Sequence, residues 1–319
     1  MAIVSDGHGS PRHFRSDVGS KAAVDVTAGI IEECMGLKGF MDELRDDPEK
    51  TMRRITDSII TRWSEYVLEY DGDHPLEESE KKMIEEAGIR EDETDKKARS
   101  VKRYGCTLIS CLLSDEAMFA FQIGDGALVA VNDDGEEDMP VPSDEDCFLN
   151  RTTSMCGSDA SIKFRHLVVM EGVEEASVPG FRAIRIDPKR VSSVTVATDG
   201  FTTSFNTDDS LMRYCRSIPG VLATDSGMKG LKDNLTLRSR SNSEDDVSIS
   251  VVYRKPSAAG SDRPPKKRGR RNRRGNEAVS EERKSIIDCI RRHYRRGRSP
   301  VQPVDDTRHR DVALRDGRI

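Results

Sequence analysis

The apolar positions of this 319-residue chain change period several times, and each change marks an element. Ala2-Ile3-Val4 reads as a short strand that ends at Asp6-Gly7-His8-Gly9-Ser10. Ser10 and Pro11 then form a helix start, a capping hydroxyl followed by a residue whose missing N–H costs nothing at the first helical position. Val18, Ala22, Val26, Ile30 and Ile31 recur at helical spacing up to a stop at Gly36, and Gly19 and Gly29 weaken that helix while permitting close packing. His13 falls on this helix, where it packs or faces water. A second helix is predicted over residues 48–70, with Met52, Ile55, Ile59, Ile60, Trp63 and Val67 as its apolar stripe and Trp63 in the core. Residues 71–100 are dense in Glu, Asp and Lys and read as an exposed helical insertion or mobile loop, with His74 on the surface.

From Tyr104 the period becomes that of strands. Residues 104–113, 117–123 and 127–131 are β-rich and separated by polar punctuation, a meander of hairpins. A polar loop or flap over 132–150 leads to three further strands at 164–170, 181–186 and 191–197. Residues 208–234 are helical, interrupted at Pro219-Gly220 and Gly227; a polar loop at 238–244 precedes a last strand, 247–253, that alternates apolar residues with Ser248 and Ser250. Strand runs flanked by helix pairs predict a layered α+β domain over 1–254, not a doubly wound one.

Composition adds three points. No stretch approaches the ~20 apolar residues of a membrane span, and the first residues lack a secretory signal, so the expectation is a soluble cytoplasmic protein without a membrane span. The seven cysteines (34, 106, 111, 147, 156, 215 and 289) are scattered without finger spacing and read as buried thiols of a reducing compartment. Charge is split: residues 254–319 hold 21 Lys/Arg against 9 Asp/Glu, leaving 30 against 48 for residues 1–253, or +12 and −18 within the total of −6. Residues 255–319 are therefore expected to form a disordered basic low-complexity tail with one short amphipathic helix near residues 280–297. Such a tail offers phosphates or acidic partners a non-specific surface, nucleic acid included, but lacks the stacking aromatics of a dedicated single-strand binder. A solvated tether is the simpler reading.

The chemistry rests on carboxylates. Asp6 before Gly7, Asp125 in Gly124-Asp125-Gly126, Asp199 before Gly200 and Asp245 before Asp246 all stand at predicted strand ends. Each alone is an ordinary turn residue. Strand ends on one edge of a sandwich can converge, and converging carboxylates with no cysteine or histidine cluster suit hard cations such as Mg2+ or Mn2+.

In order, Val4-Ser5-Asp6-Gly7-His8-Gly9, Gly105-Cys106-Thr107, Ile123-Gly124-Asp125-Gly126, Ala197-Thr198-Asp199-Gly200 and Asp245-Asp246-Val247-Ser248 resemble the metal-dependent type 2C protein serine/threonine phosphatases. Asn150 to Cys156 is similar to a segment of the bacterial-type branch. The resemblance covers residues 2 to about 254 and is specific as a set. It implies a four-layer α-β-β-α sandwich of two antiparallel sheets flanked by helix pairs. It also implies two Mg2+ or Mn2+ ions, with a position for a third, and phosphorylated protein as substrate. Asp6 would bridge the two ions, the Gly7 carbonyl would ligate one, Asp199 and Asp245 would complete the set, and Asp125 with Asp199 would hold the third. His8 matches the proposed general acid. Two cations ~3.5–4 Å apart make hydroxide available near neutral pH for in-line attack on a phosphate monoester, without a phosphoenzyme.

The family's opening motif is preceded by a strand pair carrying a phosphate-binding arginine, whereas Met1 stands only five residues before Asp6. The expectation is thus a sheet lacking that pair, with Arg12 or Arg15 as nearest substitutes for the arginine. A second expectation follows: a catalytically impaired phosphatase-like domain that binds phosphoproteins or serves as an assembly module.

Overall fold

A computed structural model of the chain describes residues 1–88, 96–144 and 152–255. The basic tail with its short helix, and Asn150 and Arg151 of the Asn150–Cys156 segment, lie outside the described residues.

Among the described residues, ten strands form two sheets. The larger contains β1 (Ala2–Val4), β2 (Leu108–Leu113), β3 (Ala117–Ile123), β6 (Arg165–Met170), β7 (Ala176–Val178) and β8 (Phe181–Ile184), ordered β1-β2-β3-β6-β8-β7. The smaller contains β4 (Ala127–Asn132), β5 (Glu137–Asp138), β9 (Val191–Ala197) and β10 (Ile249–Tyr253), ordered β10-β9-β4-β5. All pairings are antiparallel except β6–β8, which is parallel because the chain runs out to β7 at the edge and returns through a hairpin into β8. β7, β5 and the short helix α2 (Phe40–Asp46) were not predicted; each is too short for a period to emerge.

The long helices α1 (Ser16–Gly36) and α3 (Pro48–Asp73) cover the larger sheet, and α8 (Asp208–Leu222) and α9 (Gly227–Arg238) flank the smaller one. Between them lie α4 (Glu78–Glu86), α5 (Lys96–Lys102), α6 (Ala160–Lys163) and α7 (Asp199–Thr202). The result is the four-layer α-β-β-α order. Strand β3 shows how period 2 serves it: Ala117, Phe119, Phe121 and Ile123 face the helices, while Met118 and Ala120 join the core between the sheets, and all seven residues are buried.

Pro48 sits behind Asp47, whose carboxylate accepts from the Lys50 N–H (3.3 Å), and Trp63 is fully buried, donating its indole N–H to the Gly19 carbonyl (2.9 Å). Three expectations shift. Ser10 and Pro11 start a 3-10 turn, Pro11–His13, and α1 begins only at Ser16, because Arg15 leaves helical geometry to bond elsewhere. Pro219 lies inside α8 without ending it, one turn before the helix stops at Leu222. Residues 71–88 continue α3 and add α4, held to the body by an ion pair at Glu80. Cys106, Cys111 and Cys215 are buried as expected, whereas Cys34 and Cys156 are partly exposed.

The two α1 glycines differ. A Cβ at Gly19 would lie 1.9 Å from the Tyr104 carbonyl oxygen, whereas one at Gly29 would meet nothing within 4 Å. Gly19→Ala is therefore expected to cost about 1–3 kcal/mol in urea melts. Gly29→Ala is expected to be neutral or stabilising by up to about 1 kcal/mol. Equal effects would contradict this packing.

His166 is 1% exposed, its Nε2 meeting the Thr56 hydroxyl at 3.2 Å, and burial, with Arg53 nearby, lowers its pKa to about 4. The unfolded chain thus takes up this proton first as pH falls, so stability is lost from about pH 6.5 downwards. Between pH 6 and 4.5, His166→Gln should remove a slope of up to about 1.4 kcal/mol per pH unit from the wild-type dependence.

Candidate active site

Four strand ends meet at one end of the sandwich. Asp6 follows β1, where its N–H bonds the Thr107 hydroxyl (3.0 Å), its carbonyl accepts from the Thr107 N–H (2.8 Å), and Gly7 bridges to Cys106. Asp199 follows β9 and opens α7, its carboxylate accepting from the Gly200 N–H (2.9 Å). Pairing of β10 with β9 through Ile249 and Ala197, and the Thr198 N–H bond to the Ser248 carbonyl (3.0 Å), carry Asp245 to the same end. Gly200 makes this approach sterically feasible, since a Cβ there would stand 2.2 Å from the Asp246 carbonyl oxygen. Asp125 arrives in the β3–β4 turn, where Gly124 takes φ +104° and accordingly must be glycine.

The side chains differ in setting. Asp6 and Asp199 are half-buried and their carboxyl groups hydrogen-bond one another; Asp125 and Asp245 are exposed at the rim. Burial, the bond to Asp199 and the charges of Asp199 and Asp245 push the Asp6 carboxyl up to about 7. Burial and the charges of Asp125 and Asp245 raise Asp199 as well. Both carboxyls are thus pushed toward their protonated forms. Asp245 accepts from the Asp246 N–H (2.8 Å), and the Ser239 hydroxyl donates to its carbonyl (2.7 Å). Thr152 donates to Asp125, and Thr153 donates to Asp144 (2.9 Å) while accepting from the Gly124 N–H (2.9 Å).

His8 is tied by its N–H to the Gly105 carbonyl (3.1 Å). Its ring meets that of His13 edge-on at 5.0 Å, and burial together with His13 lowers its pKa to about 4. His13 is thus in the 3-10 turn and packs on His8, its Nδ1–H donating to the Lys102 carbonyl (2.5 Å).

Supporting residues escaped sequence reasoning. Gln122 is 3% exposed and donates to the carbonyls of Gly124 (3.2 Å) and Gly126 (2.6 Å), shaping the Asp125 turn; a lone amide in an apolar strand was its signal. Arg165 donates to the Gly124 and Pro142 carbonyls, tying the same turn to the flap segment. Arg15 does not face the carboxylates: its guanidinium is committed to Glu80 and Asp71, while Arg12 is exposed.

A divalent cation suits this donor set, which is oxygen-rich and acidic. Among the described residues, however, no group of three or more His, Cys, Asp or Glu side chains is arranged to hold a metal as it stands.

The family profile described as Protein phosphatase 2C matches residues 1–236. The chain belongs to the protein phosphatase 2C family. That family is one of protein phosphatases. No curated protein matches it. Among solved structures it is similar to a bacterial serine phosphatase variant, at 14% identity over 79% of this chain and 84% of that one, with a TM-score of 0.46. Stp1 from Staphylococcus aureus is 14% identical over 79% and 83%, with a TM-score of 0.44. PstP/Ppp from Mycobacterium tuberculosis is 12% identical over 78% and 86%, with a TM-score of 0.43. Among the described residues of this phosphatase 2C chain, no helix is long and apolar enough to cross a membrane.

The Asp6–Asp199 contact makes a measurable demand. An aspartate whose pKa rises on folding contributes stability at low pH that is lost as pH climbs through the folded value, about 7 for Asp6. Without added metal, Asp199→Asn should raise the melting temperature at pH 8 by about 2–4 °C, equivalent to about 1 kcal/mol, with little gain at pH 4.5. A decrease at pH 8 would show that the carboxyls do not repel.

Proposed function

We propose that this chain hydrolyses phosphoserine and phosphothreonine in proteins with a water activated between two divalent cations, Mg2+ or Mn2+. The observation that carries the reading is the contact of the Asp6 and Asp199 carboxyls at one sandwich end beside His8, with Asp245 and Asp125 at the rim. Like charges are gathered there only against repulsion, and a site for cations accounts for the arrangement better than four unrelated turns. Asp6, the Gly7 carbonyl, Asp199 and Asp245 would hold the pair, and Asp125 with Asp199 would hold a third ion. When bound, such a pair supplies a low-pKa water and neutralises phosphate charge.

The residues then divide the work. Asp6, whose pKa is raised to about 7, would serve there in its anionic form. The Gly105–Thr107 segment fixes the backbone of Asp6 and His8, so the acid and the imidazole keep their spacing. A serine or threonine alkoxide is a very basic leaving group, and a positioned imidazolium that protonates it is worth ~10²–10⁴ in rate. His8 is neutral at pH 7 as it stands, so its role as acid requires the nearby negative charge of the phosphate to raise its pKa.

The absence of a ready-made metal arrangement among the described residues favours a second reading, a catalytically impaired domain that binds phosphoproteins. Phosphate release from a phosphothreonine peptide separates the two. Turnover is expected with Mn2+ or Mg2+, stopped by EDTA and by Asp199→Ala. His8→Ala should lower kcat on that peptide by ~10²–10⁴ yet cost much less on an aryl phosphate, whose leaving group needs no proton. Folded wild-type protein that binds the peptide without metal-dependent turnover would establish the module instead.

A further inference from the structure

Helix α4 fully buries none of its residues, and only Glu80 and Ile84 are half-buried, so little apolar packing holds it. Its anchor is ionic. The Arg15 guanidinium, in a residue 7% exposed, donates from Nε (2.7 Å) and Nη2 (2.8 Å) to the two carboxylate oxygens of Glu80, a forked pair with matched geometry. Its remaining nitrogen, Nη1, donates to Asp71 (3.2 Å) and to the Tyr104 hydroxyl (3.0 Å). Asp71, at the end of α3, also accepts from Arg103 (3.0 Å), Ser100 (2.7 Å) and Tyr104 (3.0 Å). Two cations and two anions thus balance within one shielded cluster, as burial of charge requires.

That cluster grips the segment behind the active-site loop. The Arg15 N–H bonds the Arg103 carbonyl (3.0 Å), and residues 105–107 immediately afterwards bond His8 and Asp6. The turn Pro11–His13, whose His13 packs on His8, runs between the loop and Arg15 and lies against α4. We propose that Arg15 is a positioning residue of the phosphatase site: docked on Glu80 of α4 and Asp71 of α3, it holds residues 103–107 and thereby the Asp6–His8 loop. It touches neither substrate nor metal. Undocking α4 at Glu80 loosens the loop from a distance.

The inference deepens the phosphatase reading and rests on it for its catalytic consequence, but its first test needs no turnover. Hydrogen exchange on the full chain reads the His8 and Thr107 amides, both bonded across the loop, beside β3 amides as an internal reference. Glu80→Gln should speed exchange at His8 and Thr107 about tenfold and leave β3 unchanged, with Glu80→Asp intermediate. With Mn2+ and a phosphothreonine peptide, Glu80→Gln should lower kcat several-fold at unchanged KM, and the Mn2+ affinity read by electron paramagnetic resonance should fall in parallel. Arg15→Gln should exceed Glu80→Gln in each readout; if it fails to melt cooperatively, Glu80→Gln decides. Faster exchange confined to α4, with His8 and Thr107 unaltered, would reduce Arg15 to an anchor for that helix and overturn the proposal. An inactive wild type with the exchange coupling intact would defeat the phosphatase reading and leave the mechanical coupling standing.

Discussion

The carboxyl–carboxyl contact between Asp6 and Asp199 is the constraint on which the acidic end of this sandwich depends. Two such groups repel when ionised, and they stay together because the strands beneath them are held by unrelated forces. β1 is fastened to β2, β9 to β4 and β10, and the sheets to each other through a dry core that includes Val4, Ile109, Leu128 and Val196. Burial energy spread over that core outweighs a local electrostatic cost, and the cost appears as a raised Asp6 pKa. A site that binds cations must be held in this unfavourable state by something other than its ligands.

Close backbone approach is the second requirement. Glycines stand where a side chain would separate the elements: Gly200 lets the residues before β10 reach Asp199, and Gly19 lets α1 settle on the Tyr104 carbonyl. The latter contact places Trp63, Tyr104 and the Arg15 cluster around one junction of α1, α3 and the segment behind the site. The acid-bearing loops and the helix packing consequently share residues within a few positions of one another.

Much of this was legible from the chain. The long helices and most strands carry clear periods, because a half-buried element must repeat its apolar face. The four acids were legible as a set, since each stands beside glycine or a second acid at a strand end. Arg15 was not: a single arginine beside a helix start looks the same whether it faces water, phosphate or Glu80, and 65 residues separate it from that partner. Gln122 left a faint mark as an amide in an apolar run, but nothing in its neighbours revealed which carbonyls it would satisfy. His13 was assigned to a helix because Ser10-Pro11 is an ordinary helix start; the 3-10 turn arises from tertiary bonds at Lys102 and Arg103.

Periodicity, caps and the spacing of the Asp-Gly pairs are local properties, and by themselves they determined the α+β class, the core helices and the identity of the acids. Which acids touch, which stay at the rim and which way each arginine points are decided by interactions between residues far apart in sequence, as with the charge interaction of Asp6 and Asp245, about 240 residues apart. A sequence encodes such contacts only through the collective packing of its sheets. The candidate residues were therefore written locally, while their geometry, including the Asp6–Asp199 contact and the ionic docking of α4, belongs to the tertiary structure.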